Sequence, residues 1–287
     1  VAQSARPFDL VVVDLDGTIL DKRFENGFSA NVVDTIARVQ AAGVPVTIAT
    51  GRVLGYVRGA AQQLAIQLPV VTTQGAVVAH PLSGEVIFEA LLPHDLALSV
   101  AQWVDESGPV TALYVSDGNG DVHLYQNREE DDPDFYDHWL GTPRRLHARF
   151  HDLLSNGHAH SAFKFIFFNP RSAEEEFSAL LSTTFGPALH VTRTHDLLVE
   201  GTAAGIDKGE GLRQLLAHLQ IDPSRVLAIG DNDNDIPMLQ LVGFGVAMGQ
   251  STEAVKSVAD WVAPPIEEDG AAVTMQKFVL EPMGIKN

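Results

Sequence analysis

The sequence predicts an α/β protein: a doubly wound parallel sheet with an inserted α+β segment. Short apolar runs rich in β-branched residues alternate with amphipathic, helix-length stretches at both ends of the 287-residue chain. That order is what a parallel sheet with right-handed crossovers requires. Between the two ends the rhythm gives way to hairpin signals. With 45% hydrophobic and 20% charged residues, the chain carries enough apolar surface to close a substantial core.

Leu10–Val13 (LVVV), bounded by Asp9 and Asp14, reads as a strand buried on both faces. Ser29 is the expected N-cap of a helix carrying Val32, Val33, Ile36 and Val39 on one face, and Gly43 its terminator. Val44–Ala49 follows as a strand, Val53–Gln67 as a helix and Val70–Thr72 as a third strand. Then come a Pro81-Leu82-Ser83-Gly84 turn before an apolar run, a helical stretch at Asp95–Glu106, and a turn at Asp117-Gly118-Asn119-Gly120 between Leu113–Val115 and Val122–Tyr125. Trp103 stands at helical spacing from Leu96 and Val100 and is read as core. Phe163–Phe168 is a strong strand, Ala173–Leu181 a helix, and the charged run Arg128–Asp134 a solvated loop. The opening rhythm then returns: helix Lys208–Leu219, strand Arg225–Ile229, helix Asp235–Leu241, strand Gly243–Ala247, helix Thr252–Val258. Residues 1–80 and 196–287 are therefore expected to form one discontinuous core, and residues 81–195 an inserted domain.

Composition excludes several classes. Asp plus Glu number 37 against 19 Lys plus Arg, a formal charge of −18, which disfavours both a nucleic-acid backbone and an anionic membrane surface. The absence of cysteine excludes disulfides, thiolate metal sites and a cysteine nucleophile. No apolar run approaches the roughly 20 residues that span a bilayer. Val1–Asp9 has no charged start followed by an apolar stretch, so no secretory signal is visible and a cytoplasmic protein is expected.

The chemistry concentrates at strand ends. Asp14-Leu15-Asp16-Gly17-Thr18 follows the first strand, Thr50-Gly51-Arg52 the second, and Gly230-Asp231-Asn232-Asp233-Asn234-Asp235 the later Val226–Ile229 strand, while Lys208 opens a helix. Ligands of open α/β sheets bind beyond the carboxyl ends of the strands, and helix N-termini favour anions. Clustered carboxylates need a cation, and hard oxygen donors suit Mg²⁺. A carboxylate can act as a covalent nucleophile toward phosphorus. A second carboxylate two residues on can protonate the leaving oxygen and later activate water. A hydroxyl and an ammonium can hold the phosphoryl oxygens.

Together DLDGT, TGR, Lys208 and GDNDND resemble the four ordered motifs of the haloacid dehalogenase superfamily of aspartate-nucleophile phosphatases. The resemblance covers roughly residues 8–80 and 196–280. The insert position and the stretches Leu198-Val199-Glu200 and Gly205-Ile206-Asp207-Lys208-Gly209 are similar to the Cof-type branch, which carries a large α/β cap between its second and third motifs. About 158 residues separate Thr50 from Lys208, far more than one crossover uses. The resemblance implies Asp14 as nucleophile and Asp16 as general acid/base. It implies Mg²⁺ on Asp14, the Asp16 backbone carbonyl and Asp231. Thr50, Lys208, Asn234 and backbone N–H groups near Leu15 and Gly51 are the implied phosphoryl ligands. Asp235 is the implied partner of Lys208 or of a metal-bound water. Arg52 either reaches substrate or pairs with a core carboxylate. Gln74-Gly75-Ala76 stands where the family usually has Asn-Gly-Ala.

Other motif readings fail. Asp231–Val242 starts like an EF-hand loop but has Ile236 sixth and Val242 twelfth, and the loop starting at Asp117 has Val122 sixth and Arg128 twelfth. Gly243-Phe-Gly245-Val-Ala-Met-Gly249 misses the dinucleotide fingerprint by one residue. Among His147, His151, His158 and His160 only the first two stand four apart, so they are read as surface or loop residues. The expected activity is Mg²⁺-dependent hydrolysis of small phosphorylated metabolites, with sugar phosphates foremost. A phosphomutase using the same core residues is the alternative.

Overall fold

The computed structural model describes residues 6–21, 27–107, 109–118, 121–129, 143–156, 162–168, 174–195 and 197–285. The run Arg128–Asp134 lies mostly outside them, as do Asn119, Gly120, His158 and His160. The chain divides into two compact units. One comprises residues 1–52, 57–88 and 207–287, the other residues 53–56 and 89–206.

In the first unit, β1 (Leu10–Val13) lies at the heart of a parallel sheet. It pairs with β2 (Val46–Ile48) on one side and β12 (Val226–Gly230) on the other, Val13 standing opposite both Ile48 and Ile229. β13 (Phe244–Ala247) and β14 (Trp261–Val262) continue the order, giving β14-β13-β12-β1-β2. All four β1 residues are fully buried, because a parallel sheet is covered on both faces. Leu10, Val12, Val226 and Ala228 share a core with Leu212, Leu215 and Met238, which come from α6 (Lys208–Leu219) and α7 (Ile236–Leu241).

The helix α1 (Ala30–Ala41) is capped by Ser29, whose hydroxyl accepts from Val32 N, and ends before Gly43 at φ +86°. Val32, Ile36 and Val39 are buried as the periodicity requires, and Thr35 joins them while Val33 turns partly outward. α2 (Leu54–Gln63) is shorter than the apolar pattern to Gln67 suggests. Ala65 takes a left-handed φ of 53°, which ends the helix and lets Leu64 and Ile66 stay buried in a turn. β3 (Val70–Thr72) joins the parallel sheet through the Ala49–Val71 bridge and pairs antiparallel with β4 (Val77–Ala79), which neighbours β5 (Val86–Glu89). The Pro81–Gly84 turn, read from sequence as part of the insert, thus connects strands β4 and β5, and most of that hairpin belongs to the first unit. The helix expected from Asp235 starts at Ile236, after a tight turn over Asp233–Asp235 capped by Asn232. α8 (Glu253–Val258) is capped by Thr252.

The second unit carries a six-stranded sheet, ordered β10-β11-β9-β6-β7-β8. Its strands are β6 (Thr111–Ser116), β7 (Val122–Gln126), β8 (Arg144–Leu146), β9 (Ala162–Phe168), β10 (Leu189–His195) and β11 (Leu198–Ala203), antiparallel except for β7 with β8. Phe165, Phe167, Leu113 and Val199 pack with Val100 and Val104 of α3 (His94–Ser107), Phe150 and Leu154 of α4 (Phe150–Ser155) and Leu181 of α5 (Glu174–Phe185). Trp103 sits partly buried on this core, its ring against Phe167, Phe177 and Phe185. Strand alternation puts Lys164 and Glu200 on the opposite face. There they form a buried ion pair of 2.6 Å, with the Lys164 ammonium 4.8 Å above the Tyr114 ring. Among the described residues no helix is long and apolar enough to cross a membrane.

Candidate active site

Parallel register brings the chemical residues to one edge. Asp14 N donates to Ile229 O at 3.0 Å, Ala49 N to Val13 O at 3.0 Å and Thr50 N to Val71 O at 2.9 Å. The residues that follow β1, β2 and β12 are therefore side by side at the carboxyl ends. Gly17 turns the loop after β1 at φ +83°, and a Cβ there would collide with the Asp231 carboxylate. Only glycine meets both conditions.

At the centre, Lys208 Nζ lies 2.7 Å from Asp14 Oδ1 and 2.6 Å from Asp235 Oδ1. Lys208 opens α6, behind an Asp207 cap that accepts from Glu210 N. Asp235 is fully buried, and its second oxygen accepts from the backbone N–H of Asp231 at 2.9 Å and of Asn232 at 3.1 Å. It anchors the loop as well as the lysine. Thr18, a residue that motif reading left without a role, donates to Asp231 Oδ1 at 3.3 Å. Its place as the last member of DLDGT was the available signal.

Carboxylate oxygens of Asp14, Asp231 and Asp235 all lie within 4.8 Å of one another. Burial pushes the Asp14 carboxyl well above the usual carboxylate range, with Asp235, Asp231 and Asp16 adding to it against the pull of Lys208. Burial and the charge of Asp235 raise Asp231 to about 7. Burial opposes the charge on Lys208, yet Asp14 and Asp235 outweigh it and keep that lysine firmly protonated. One ammonium thus faces three carboxylates, and the surplus negative charge lifts two of the acids. Hard oxygen donors gathered with uncompensated charge fit a divalent cation such as Mg²⁺. Asp14 and Asp231, expected as metal ligands, come together, and Asp235 joins them.

Asp16 faces elsewhere. Arg52 grips its carboxylate through two parallel bonds, Nε to Oδ2 at 2.9 Å and Nη2 to Oδ1 at 2.8 Å. Of the two options that the sequence left for Arg52, this is the carboxylate pair. Thr50 is buried beside it and its hydroxyl accepts from Arg52 N at 3.2 Å. Leu15 is buried, and its carbonyl closes the turn by accepting from Thr18, Ile19 and Leu20 N. Gly51 lies against the Gln74 side chain. Asn234 donates Nδ2 to Gln74 Oε1 at 3.1 Å. Among the described residues, Asp14, Asp231 and Asp235 are the acidic group placed to hold a metal, and neither His147 nor His151 takes part in such a group.

A family model of haloacid dehalogenase-like hydrolases matches residues 11–275. The chain belongs to that family. The similarity to several curated relatives runs nearly end to end. A 5-amino-6-(5-phospho-D-ribitylamino)uracil phosphatase of Bacillus subtilis is 29% identical over 278 residues, covering 94% of this chain and 97% of its own. A phosphoglycolate phosphatase of Methanopyrus kandleri is 28% identical over 272 residues, covering 95% and 97%. Among solved structures, a sugar phosphatase of haloacid dehalogenase subclass IIB shares the fold with a TM-score of 0.78 at 24% identity, over 94% of this chain and 98% of that one. This haloacid dehalogenase-like hydrolase is a phosphatase enzyme, and the Cof-type resemblance of its motifs agrees with the family that matches.

Proposed function

We propose that this hydrolase is a Mg²⁺-dependent phosphomonoesterase of small phosphorylated metabolites, sugar phosphates foremost, working in the cytoplasm through a phospho-aspartyl intermediate on Asp14. The observation that carries the reading is Asp14 itself: the first residue beyond the central strand, buried, with one oxygen fixed by Lys208 at 2.7 Å. Asp14, Asp231 and the Asp16 backbone carbonyl, beside Asp235, would hold Mg²⁺, which would supply charge neutralisation at the phosphoryl group. Asp14 attacks phosphorus in line, and the ester oxygen leaves with a proton from Asp16. Asp16 then takes a proton from water, which attacks the same phosphorus, releases phosphate and restores Asp14. Lys208 and Asp235 keep the nucleophile oriented and its charge balanced. Thr50, Asn234 and the N–H groups near Leu15 and Gly51 hold the phosphoryl oxygens while charge spreads over them.

Small substrates are supported by the two relatives, whose names specify phosphoglycolate and a phosphorylated ribitylaminouracil. Leaving-group selection is assigned to the inserted segment, residues 81–195, since the core residues serve the phosphoryl group alone. The test is Asp14→Asn with a labelled phosphate ester. Turnover falls by about three orders of magnitude or more, and acid quenching of the wild type traps label on the protein while the variant takes none. Retained turnover, or a wild type that never carries label, refutes the nucleophile.

A further inference from the structure

We propose that Gln74 is a positioning residue for the phosphoryl-binding groups, an inference that rests on the reading of Asp14 as phosphoryl acceptor. Thr73, Gln74 and Gly75 pass through three successive left-handed conformations, with φ of 53°, 58° and 91°. Two of the three are not glycine, and such residues stay left-handed only where their surroundings fix them. Here Thr73 N donates to Arg52 O at 2.8 Å and Gln74 N to Thr50 O at 3.3 Å. Gly75 is packed so tightly on the Asp207 carbonyl that a Cβ would collide. The turn is thereby laced to the loop after β2 and to the residue preceding Lys208. Glycine at position 74 would adopt this backbone freely, so the reason for a buried glutamine lies in its amide.

Asn234 and Gly51 both flank that amide. Its Oε1 accepts one of the two Nδ2 hydrogens of Asn234 at 3.1 Å. Oδ1 of Asn234 is buried with no hydrogen-bond partner among the described residues. Without Gln74 the Asn234 amide would turn to satisfy that oxygen; with it, the amide plane is fixed and the second Nδ2 hydrogen keeps one direction. On the other side, a Cβ at Gly51 would stand 2.5 Å from Gln74 Nε2. The Gln74 amide therefore fills the space between Gly51, beyond β2, and Asn234, beyond β12. A phosphoryl group gripped from both loops meets donors whose spacing is set before it arrives.

The experiment compares wild type, Gln74→Gly and Thr73→Gly, each with Mg²⁺, by calorimetric titration with inorganic phosphate and by steady-state kinetics. Both substitutions relax the turn, but only the first removes the amide. Gln74→Gly weakens phosphate binding about tenfold and raises KM in step. Thr73→Gly stays within about twofold of wild type. Phosphate affinity unchanged in Gln74→Gly overturns the inference, and so does equal weakening in both variants, which would make the turn alone responsible. A wild type that binds no phosphate and hydrolyses no ester overturns the Asp14 reading, and this inference with it.

Discussion

The Lys208 ammonium lies 2.7 Å from the Asp14 carboxylate with the two side chains only 1% and 5% exposed. Lys208 is the cation against which both Asp14 and Asp235 are buried. Replacing it with methionine keeps the packing volume and leaves buried carboxylates without their counter-charge. The expected cost is about 3–5 kcal/mol, read by urea unfolding in EDTA at pH 8, and Mg²⁺ restores part of it. Unfolding midpoints that match wild type would show that the ammonium is not what holds the site together.

The raised acids make the metal-free protein sensitive to pH. Burial lifts Asp231 to about 7 in the fold from an ordinary carboxylate value of 3.8. The folded state therefore binds more protons than the unfolded one between those values. The stabilising contribution is complete below about 3.8 and is lost as pH rises through about 7. Melting temperature in EDTA should fall between pH 5 and pH 8, and the fall should be smaller in Asp231→Asn. Mg²⁺ should raise it more at pH 8 than at pH 5. Identical pH profiles for wild type and Asp231→Asn would remove Asp231 as the cause.

The Arg52–Asp16 fork has a kinetic signature. Both Asp16 oxygens accept from Arg52, so the fork orients the ionised carboxylate and must free one oxygen before Asp16 carries the proposed proton to the leaving group. Loss of the guanidinium matters most where protonation is most needed. Arg52→Ala should slow an alkyl phosphate by about tenfold or more while an activated aryl phosphate loses much less. Equal losses on both esters would mean that Arg52 serves the phosphoryl group.

Metal identity should matter as much as metal presence. Activity is expected to vanish in EDTA and return with Mg²⁺. Ca²⁺ takes longer bonds and accepts bidentate carboxylates, which would engage both Asp14 oxygens and block attack. Ca²⁺ titrated against a fixed Mg²⁺ concentration should inhibit competitively; an enzyme that runs equally well on Ca²⁺ contradicts this arrangement.

In the second unit, the Lys164–Glu200 pair should show strong non-additivity. Glu200→Leu alone removes the carboxylate 2.6 Å from a buried ammonium and should cost about 3–5 kcal/mol, whereas Lys164→Met with Glu200→Leu should cost far less than the two single changes added. Denaturant unfolding of all four proteins measures this, and strict additivity would show that the two charges are independent.

Position along the chain was enough to foresee Asp14, Thr50, Asp231 and Lys208 at one edge, because parallel strands align their carboxyl ends and helix starts attract anions. Two helix ends were legible too: the Ser29 cap and the Gly43 terminator act locally and do not depend on distant partners, whereas Thr252, read as the first residue of its helix, is that helix's cap. What sequence could not supply was pairing at a distance. Arg52 and Asp16 are both visible as charges, but nothing local says that they meet. The Pro81–Gly84 turn looks the same whether its strands pair within an insert or, as they do, beside β3. The left-handed run at Thr73 and Gln74 escaped for the opposite reason: neither residue type announces that conformation, which is imposed by Arg52, Thr50 and Asp207 around it.

The placement of β1 between β2 and β12 also sets an order of events during synthesis. Val11 meets Val46 of its first neighbouring strand early, but its other flank belongs to Leu227, in the strand that starts at Val226. A ribosome adding about 5–20 residues per second needs on the order of ten to forty seconds to deliver that second partner. Throughout that interval the nascent chain carries, just before Asp14, a strand of four apolar residues with one unpaired edge, the kind of surface that invites foreign strands. The strand is thus half-enclosed long before its second flank is covered, and protection of the emerging chain matters most until the segment that starts at Val226 appears.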